Sequence, residues 1–160
     1  MVTLIDEIDD IDLNIISILQ DDARTPFTKV ANRLNVSDAT IHLRVRKMEE
    51  LGLIEKYTLV LNEEKMGKPV TLYVMIRVNP GTVNEVCNEL MKMDEIYEIS
   101  EIHERYDVLA KIRGRNLEEL RDILIQKIRA IPNVLGSECY TVYKNWKQDL
   151  GIKMDNMARL

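Results

Sequence analysis

The chain has 160 residues, of which 46% are hydrophobic and 31% are charged, and its formal net charge is −5. This composition is typical of a folded globular protein with one or two small domains and excludes a disordered chain. No apolar run is long enough to span a membrane, the acidic N-terminus lacks the features of a signal peptide, and the two cysteines match no disulfide framework or zinc motif. We therefore expect a cytoplasmic protein with no membrane partner, no metal and no cofactor.

The charge is unevenly distributed along the first third of the chain. Residues 1–23 carry seven acidic side chains and no lysine or arginine, whereas residues 24–48 carry six basic side chains and one acidic side chain, Asp38. A phosphate backbone responds mainly to charge within a Debye length, about 10 Å, so local charge matters more than the total. The negative net charge therefore does not exclude DNA binding by the basic segment.

Three helices are predicted in the N-terminal third of the chain. Apolar residues at helical spacing predict a first helix over about residues 9–22, and Pro26 suits the first turn of a second helix. Asn35 tolerates a left-handed turn, Ser37 is a good N-cap for a third helix, and Gly52 is placed to end it. The very short turn between the second and third helices predicts a helix-turn-helix.

The third helix has the pattern expected of a helix that enters the major groove. Small and polar side chains can meet base edges, and an arginine such as Arg44 can bind guanine through two hydrogen bonds. The alternative is a solvated helix with intrahelical ion pairs, such as Arg46 with Glu50. The residues expected to contact DNA are Ser37, Ala39, Thr40, Leu43, Arg44, Arg46 and Lys47, with Arg24, Lys29 and Arg33 as phosphate contacts.

The second half of the chain predicts a βαββαβ domain. "LIEKYTLVLN" has strand character, and Gly67 and Pro69 mark a boundary after it. A strand–helix–strand pattern then occurs twice, and in its first helix Thr82 and Glu85 fit a capping box. The order predicts an α+β protein in which a (winged) helix-turn-helix is joined by a strand to a ferredoxin-like sandwich. The predicted bounds are 1–53 for the helix-turn-helix, 54–68 for the connecting strand and linker, 69–146 for the sandwich and 147–160 for a C-terminal tail.

One face of the predicted sheet has no helix to cover it. The first strand presents Thr71, Tyr73, Met75 and Arg77 on that face, which is a mixed set rather than a fully polar one. A half-apolar face usually has a partner, and a two-fold dimer is the simplest arrangement that supplies one. Coverage by the N-terminal domain or by the tail is the alternative.

Several segments together resemble the Lrp/AsnC family, the leucine-responsive or feast/famine regulators. The matching segments are the opening "DDIDLNIISILQDDAR", the third helix "VSDATIHLRVRKMEELGLI", the exit strand "EKYTLVLN", "YD" at Tyr106–Asp107 and "IPNV" before the last strand. The resemblance covers nearly the whole chain. It implies a transcription regulator whose dimers bind pseudo-palindromic sites in double-stranded DNA and assemble into tetramers or octamers.

The resemblance also implies an amino-acid effector bound at contacts between dimers. The family's pocket is associated with a Gly-x-x-Asp motif in the loop between the second and third strands; here the aspartate is Asp107, but Glu104 occupies the glycine position. A glutamate adds bulk and a negative charge that would repel the carboxylate of a standard amino acid. An effector with a basic group, no effector, a different trigger, or a plain polar loop are the alternatives. The residues expected to contact an effector are His103, Glu104, Tyr106 and Asp107.

An enzyme and a protein-binding sensor or assembly protein are the two alternative classes of function. An enzyme is disfavoured because His42, His103 and the cysteines lie in no catalytic motif, and the chain has no glycine-rich phosphate loop. A sensor or assembly protein whose N-terminal domain contacts another protein would use the acidic residues 1–23. The basic segment that follows them argues against this second alternative.

Overall fold

The computed structural model describes residues 7–148 and residue 152. Its contacts divide the chain into two compact units. The helical unit contains the described residues before Val60 and from Lys147 onward, and the sheet unit is Val60–Trp146. Within the described residues, no helix is both long enough and apolar enough to cross a membrane.

Three helices pack around one apolar core in the helical unit: α1 Asp10–Asp21, α2 Phe27–Leu34 and α3 Asp38–Glu50. α1 begins with a reciprocal capping box, in which Asp9 accepts the backbone N–H of Asp12 and Asp12 accepts that of Asp9. The three predicted helices are confirmed. The buried core consists of Ile15, Leu19, Val30, Ala31, Ile41, Val45 and Met48.

The turn between α2 and α3 is short because Asn35 adopts a left-handed backbone, with φ 54° and ψ 45°. Ser37 then caps α3 by accepting the backbone N–H of Thr40 at 3.1 Å. Gly52, with φ 71°, follows the last turn of α3. The predicted turn, cap and terminator are confirmed, and together they fix the direction of α3.

The predicted wing and connecting strand are not formed. Residues 55–62 lie in no strand, and no strand is found among residues 7–59. The high β-propensity of this segment yields a strand only where a second strand pairs with it, and no part of the described chain does so. The segment is instead an exposed connection, with Leu59 80% and Val60 73% exposed.

The sheet unit is an antiparallel sheet with helices on one face. Its strands are β1 Val70–Val78, β2 Ile96–Glu101, β3 Val108–Gly114 and β4 Val134–Thr141, in the order β2-β3-β1-β4. α4 Val83–Leu90 joins β1 to β2, and α5 Leu117–Asp122, which continues as a π-helical segment Ile123–Ile128, joins β3 to β4. This order confirms the predicted ferredoxin-like sandwich.

The two faces of β1 differ as predicted. Leu72, Val74 and Ile76 are buried with the helices in the core. Within the described residues of the sheet unit, no helix packs on the opposite face, and its residues stand beside β3 partners that point the same way. Those pairs are Thr71 with Arg113, Tyr73 with Lys111, and Met75 with Leu109.

The predicted capping box at the start of α4 is wrong. Thr82 donates its hydroxyl to the carbonyl of Asn79 at 2.8 Å, and Glu85 accepts from the side-chain amide of Asn133 at 3.0 Å. Each side chain is thus engaged with a neighbouring loop and does not bond the backbone of the first turn of α4.

Candidate nucleic-acid interface and hairpin loop

α3 presents a continuous exposed face opposite its buried side chains. Leu43 is 70% exposed, and Thr40 is half-buried, with its hydroxyl hydrogen-bonded to that of Ser37 at 2.7 Å. The structure therefore leaves most of the predicted DNA-contacting set exposed to solvent. The exposed members are Ser37, Ala39, Leu43, Arg46 and Lys47 on or next to α3, and Arg24, Lys29 and Arg33 on or next to α2.

Arg44 is the member of the set that forms an ion pair with another helix of the helical unit. Its Nη1 donates to both carboxylate oxygens of Asp9 at 2.7 Å and to Oδ1 of Asp12 at 3.0 Å. These hydrogen bonds lower the pKa of the Asp9 carboxyl and raise the pKa of the Arg44 guanidinium. The Asp12 side chain is only 3% exposed. Because a buried carboxylate without its cation is costly, the guanidinium is committed to α1.

The other two cations of α3 also have partners, but weaker ones. Lys47 donates its ammonium to the backbone carbonyl of Glu7 at 2.6 Å. Arg46 pairs with Glu50 at 2.9 Å, as the sequence predicts, and both side chains are largely exposed, at 76% and 65%. An exposed pair contributes little and is screened by salt, so Arg46 can exchange Glu50 for a phosphate at small cost.

Glu7, Asp9 and Asp12 were missed as residues that shape this surface. Their contacts to α3 join residues 32 to 40 positions apart in the chain. The sequence signal that could have indicated them is the pair of aspartates three residues apart at the start of α1, beside a helix rich in arginine. Helical periodicity describes one helix at a time and does not predict such a pairing.

The β2–β3 hairpin loop holds the four residues predicted to contact an effector. Asp107 accepts the backbone N–H of Val78 at 2.8 Å, and its own N–H donates to the carbonyl of Ile76 at 3.0 Å. Tyr106 and Asp107 are half-buried, whereas His103 and Glu104 are exposed. Asp107 therefore fixes the loop to the end of β1.

Glu104 has a φ of 110°, in the region of backbone conformation that favours glycine. A side chain at such an angle costs on the order of 1–3 kcal/mol, and the surrounding structure must hold the residue there. This backbone angle is a physical reason for the glycine that the resemblance implies at this motif position. Here the loop instead carries strain together with an exposed carboxylate.

Tyr106 links the hairpin loop to β4 through Glu138. Hydrogen bonds from Tyr106 and Tyr140, together with the charge of Arg105, hold the pKa of the Glu138 carboxyl below its usual value. Arg105 pairs with Glu138 at 3.0 Å, and the Tyr140 hydroxyl donates to it at 3.1 Å. Among the described residues, no group of histidine, cysteine and acidic side chains is arranged to hold a metal ion.

Known families match both units of the chain. An "AsnC-type helix-turn-helix domain" matches residues 8–49, and an "Lrp/AsnC ligand binding domain" matches residues 71–152. The HTH-type transcriptional regulator FL11 of Pyrococcus abyssi is 37% identical over 141 residues, covering 88% of this chain and 93% of its own. The HTH-type transcriptional regulator LrpA of Pyrococcus horikoshii is 35% identical over 127 residues, covering 79% of this chain and 90% of its own.

Solved structures have the same fold. The structure of E. coli AsnC superposes with a TM-score of 0.86 at 28% identity, covering 91% of this chain and 98% of that one. A complex of a Neisseria meningitidis transcriptional regulator with L-Met has a TM-score of 0.88 at 15% identity, covering 94% of this chain and 99% of that one. At that identity the second likeness shows the fold alone.

Proposed function

Because this chain belongs to the Lrp/AsnC family of transcriptional regulators, we propose that it binds specific DNA sequences by inserting α3 into the major groove. The observation that carries this is the exposed face of α3 above a buried three-helix core. The turn at Asn35 and the cap at Ser37 fix that face in direction. The exposed basic residues on or next to α2, Arg24, Lys29 and Arg33, are suited to phosphates that position the helix on the duplex.

Selection of bound sequences from random DNA tests this proposal. A specific site should be enriched, and affinity should fall linearly in a log–log plot against salt concentration because phosphate contacts release counterions. Arg33→Ala should lower the affinity for selected DNA and for random DNA by the same factor. It should also reduce the slope of the salt dependence by about one. Arg115→Ala, which removes an exposed cation from the sheet unit, is the matched control and should change neither the affinity nor the salt slope. Failure to enrich any sequence would contradict the proposal.

We further propose a homodimer, extending to tetramers or octamers, that binds pseudo-palindromic sites. Support comes from the sheet face that carries none of the helices of the sheet unit, where Tyr73, Met75 and Leu109 are half-buried. Lys111 on the same face is 8% exposed, and no carboxylate of the described residues pairs with it. A second copy would bury the apolar side chains and can supply a carboxylate.

The dimer should place two copies of α3 on half-sites one or two helical turns apart. Inserting about five base pairs, half a turn, between the half-sites moves one of them to the opposite side of the duplex. Binding should then fall to the level of a single half-site. Unchanged affinity after the insertion would argue against a rigid dimer.

We also propose an amino-acid-like effector at the hairpin loop, bound where dimers meet. The match to a ligand-binding domain and the exposed His103 and Glu104 support this. The negative charge of Glu104 favours an effector with a basic group over one that presents only a carboxylate. Calorimetry with a panel of amino acids should show a preference for basic ones, and Glu104→Gly should remove that preference. No heat from any amino acid with either protein would contradict the proposal.

A further inference from the structure

The cations of α3 are the side chains expected to recognise bases, yet all three have partners within the helical unit. Arg44 binds Asp9 and Asp12, and Lys47 binds the carbonyl of Glu7. Releasing Arg44 to a base would leave the buried Asp12 carboxylate without its cation. The geometry therefore removes Arg44, the strongest candidate for guanine recognition, from the surface that meets the bases.

The outward face of α3 also presents two apolar side chains near Arg44. Leu43 is 70% exposed and Ala39 is exposed, and the two lie four residues apart, so they are neighbours on one ridge of the helix. The Leu43 side chain is not needed for packing, because the core uses the opposite side of α3 through Ile41, Val45 and Met48. An exposed leucine costs solubility and contributes nothing to this core.

In the major groove, the thymine 5-methyl group is the apolar feature of a base edge, and short aliphatic side chains contact it. We propose that Leu43, flanked by Ala39, determines specificity by packing against the methyl group of a thymine in each half-site. The inference rests on the proposed insertion of α3 into the major groove and adds the chemical class of base that it recognises. Arg44 positions this ridge by holding α3 against the start of α1.

The experiment replaces thymine by uracil, which removes only the methyl group. Each thymine of a selected site is replaced singly by deoxyuridine, and the dissociation constant is measured at fixed salt. One position in each half-site should lose about fourfold in affinity, the value of one buried methyl group. Leu43→Ala should weaken binding to the thymine site and abolish the difference between thymine and uracil there.

The control is Leu117→Ala, which shortens a leucine of the sheet unit that is 55% exposed and should leave the thymine-to-uracil ratio unchanged. Both variants change exposed side chains, and their circular dichroism should match that of the wild type. If no position is sensitive to the methyl group, or if the sensitivity persists in Leu43→Ala, the inference is overturned while the proposed function stands. If selection enriches no site at all, both fail together.

Discussion

In α3 and in the β2–β3 hairpin loop, a charged motif residue holds its own chain while a residue near it in sequence is exposed. Arg44 binds Asp9 and Asp12 beside the exposed Leu43, and Asp107 binds the N–H of Val78 beside the exposed Glu104. The two regions differ in what they expose. α3 presents an apolar side chain on regular backbone, whereas the loop presents a carboxylate at a φ of 110°. We infer that the charged residue of each motif belongs to the scaffold and that its neighbour sets the ligand chemistry.

The largest effect is expected where Arg44 is removed. Arg44→Met leaves Asp12 buried without its cation and should lower the free energy of unfolding of the helical unit by about 3 kcal/mol. Arg46→Met, on the same helix but in an exposed pair with Glu50, should change it by less than about 0.5 kcal/mol. Urea titrations followed by circular dichroism give both values. Equal, small losses would mean that Arg44 is as free as Arg46 and available to a base.

A smaller loss is expected in the hairpin loop. Asp107→Ala leaves the N–H of Val78, a residue that is 4% exposed, without its acceptor and should cost about 1–3 kcal/mol. His103→Ala, an exposed change in the same loop, should stay within about 0.5 kcal/mol. Unfolding of the sheet unit, followed by hydrogen exchange at Val78, separates the two variants. A loss of effector binding without any loss of stability would instead make Asp107 a ligand residue.

The features predicted correctly from the sequence are those set by a residue and its near neighbours. Asn35 and Gly52 adopt left-handed backbone because their types tolerate it, and Ser37 caps α3 because its hydroxyl reaches the N–H of Thr40. The inward and outward faces of α3 and β1 follow from the periods of helix and strand. These local rules are sufficient to predict the fold and the surface that carries the candidate site.

The features predicted wrongly or missed depend on a partner far away in the chain. Arg44 and Asp9 are 35 residues apart, and no local pattern distinguishes this arginine from Arg46, which pairs within its own helix. The segment 55–62 has strand propensity, but no strand of the described chain lies beside it. Propensity and periodicity indicate which structure a segment can form, and its contacts with distant parts of the chain decide whether it forms that structure.

A stabilising change is expected at Glu104. Glu104→Gly relieves the strain of a side chain at φ 110°, and after the larger chain entropy of glycine in the unfolded state is subtracted, about 1 kcal/mol of stabilisation should remain. Asn35→Gly is the matched control, since asparagine accepts its φ of 54° with little strain. The thermal midpoint of the sheet unit should rise for the first variant and that of the helical unit should hardly move for the second. A lower midpoint for Glu104→Gly would show that the carboxylate stabilises the loop by more than the strain costs.

The smallest effect separates the two carboxylates that Arg44 binds. Asparagine is as good an N-cap as aspartate, so Asp9→Asn keeps the cap of α1 while it removes the charge and one of the two oxygens that accept from Arg44. The Asp9 side chain is 53% exposed, so the wild type should exceed Asp9→Asn in stability by less than about 1 kcal/mol at neutral pH.

The pH dependence of that difference identifies its cause. The hydrogen bond from Arg44 lowers the pKa of Asp9 in the folded state, so its contribution is complete above the unfolded pKa, about 4, and is lost as the pH falls through the lower folded value. Urea titrations between neutral pH and about pH 2 should therefore show the two proteins converging in acid. A difference in the free energy of unfolding that stays constant with pH would mean that Asp9 acts through the geometry of its cap. The buried Asp12 would then be the carboxylate that holds Arg44 electrostatically.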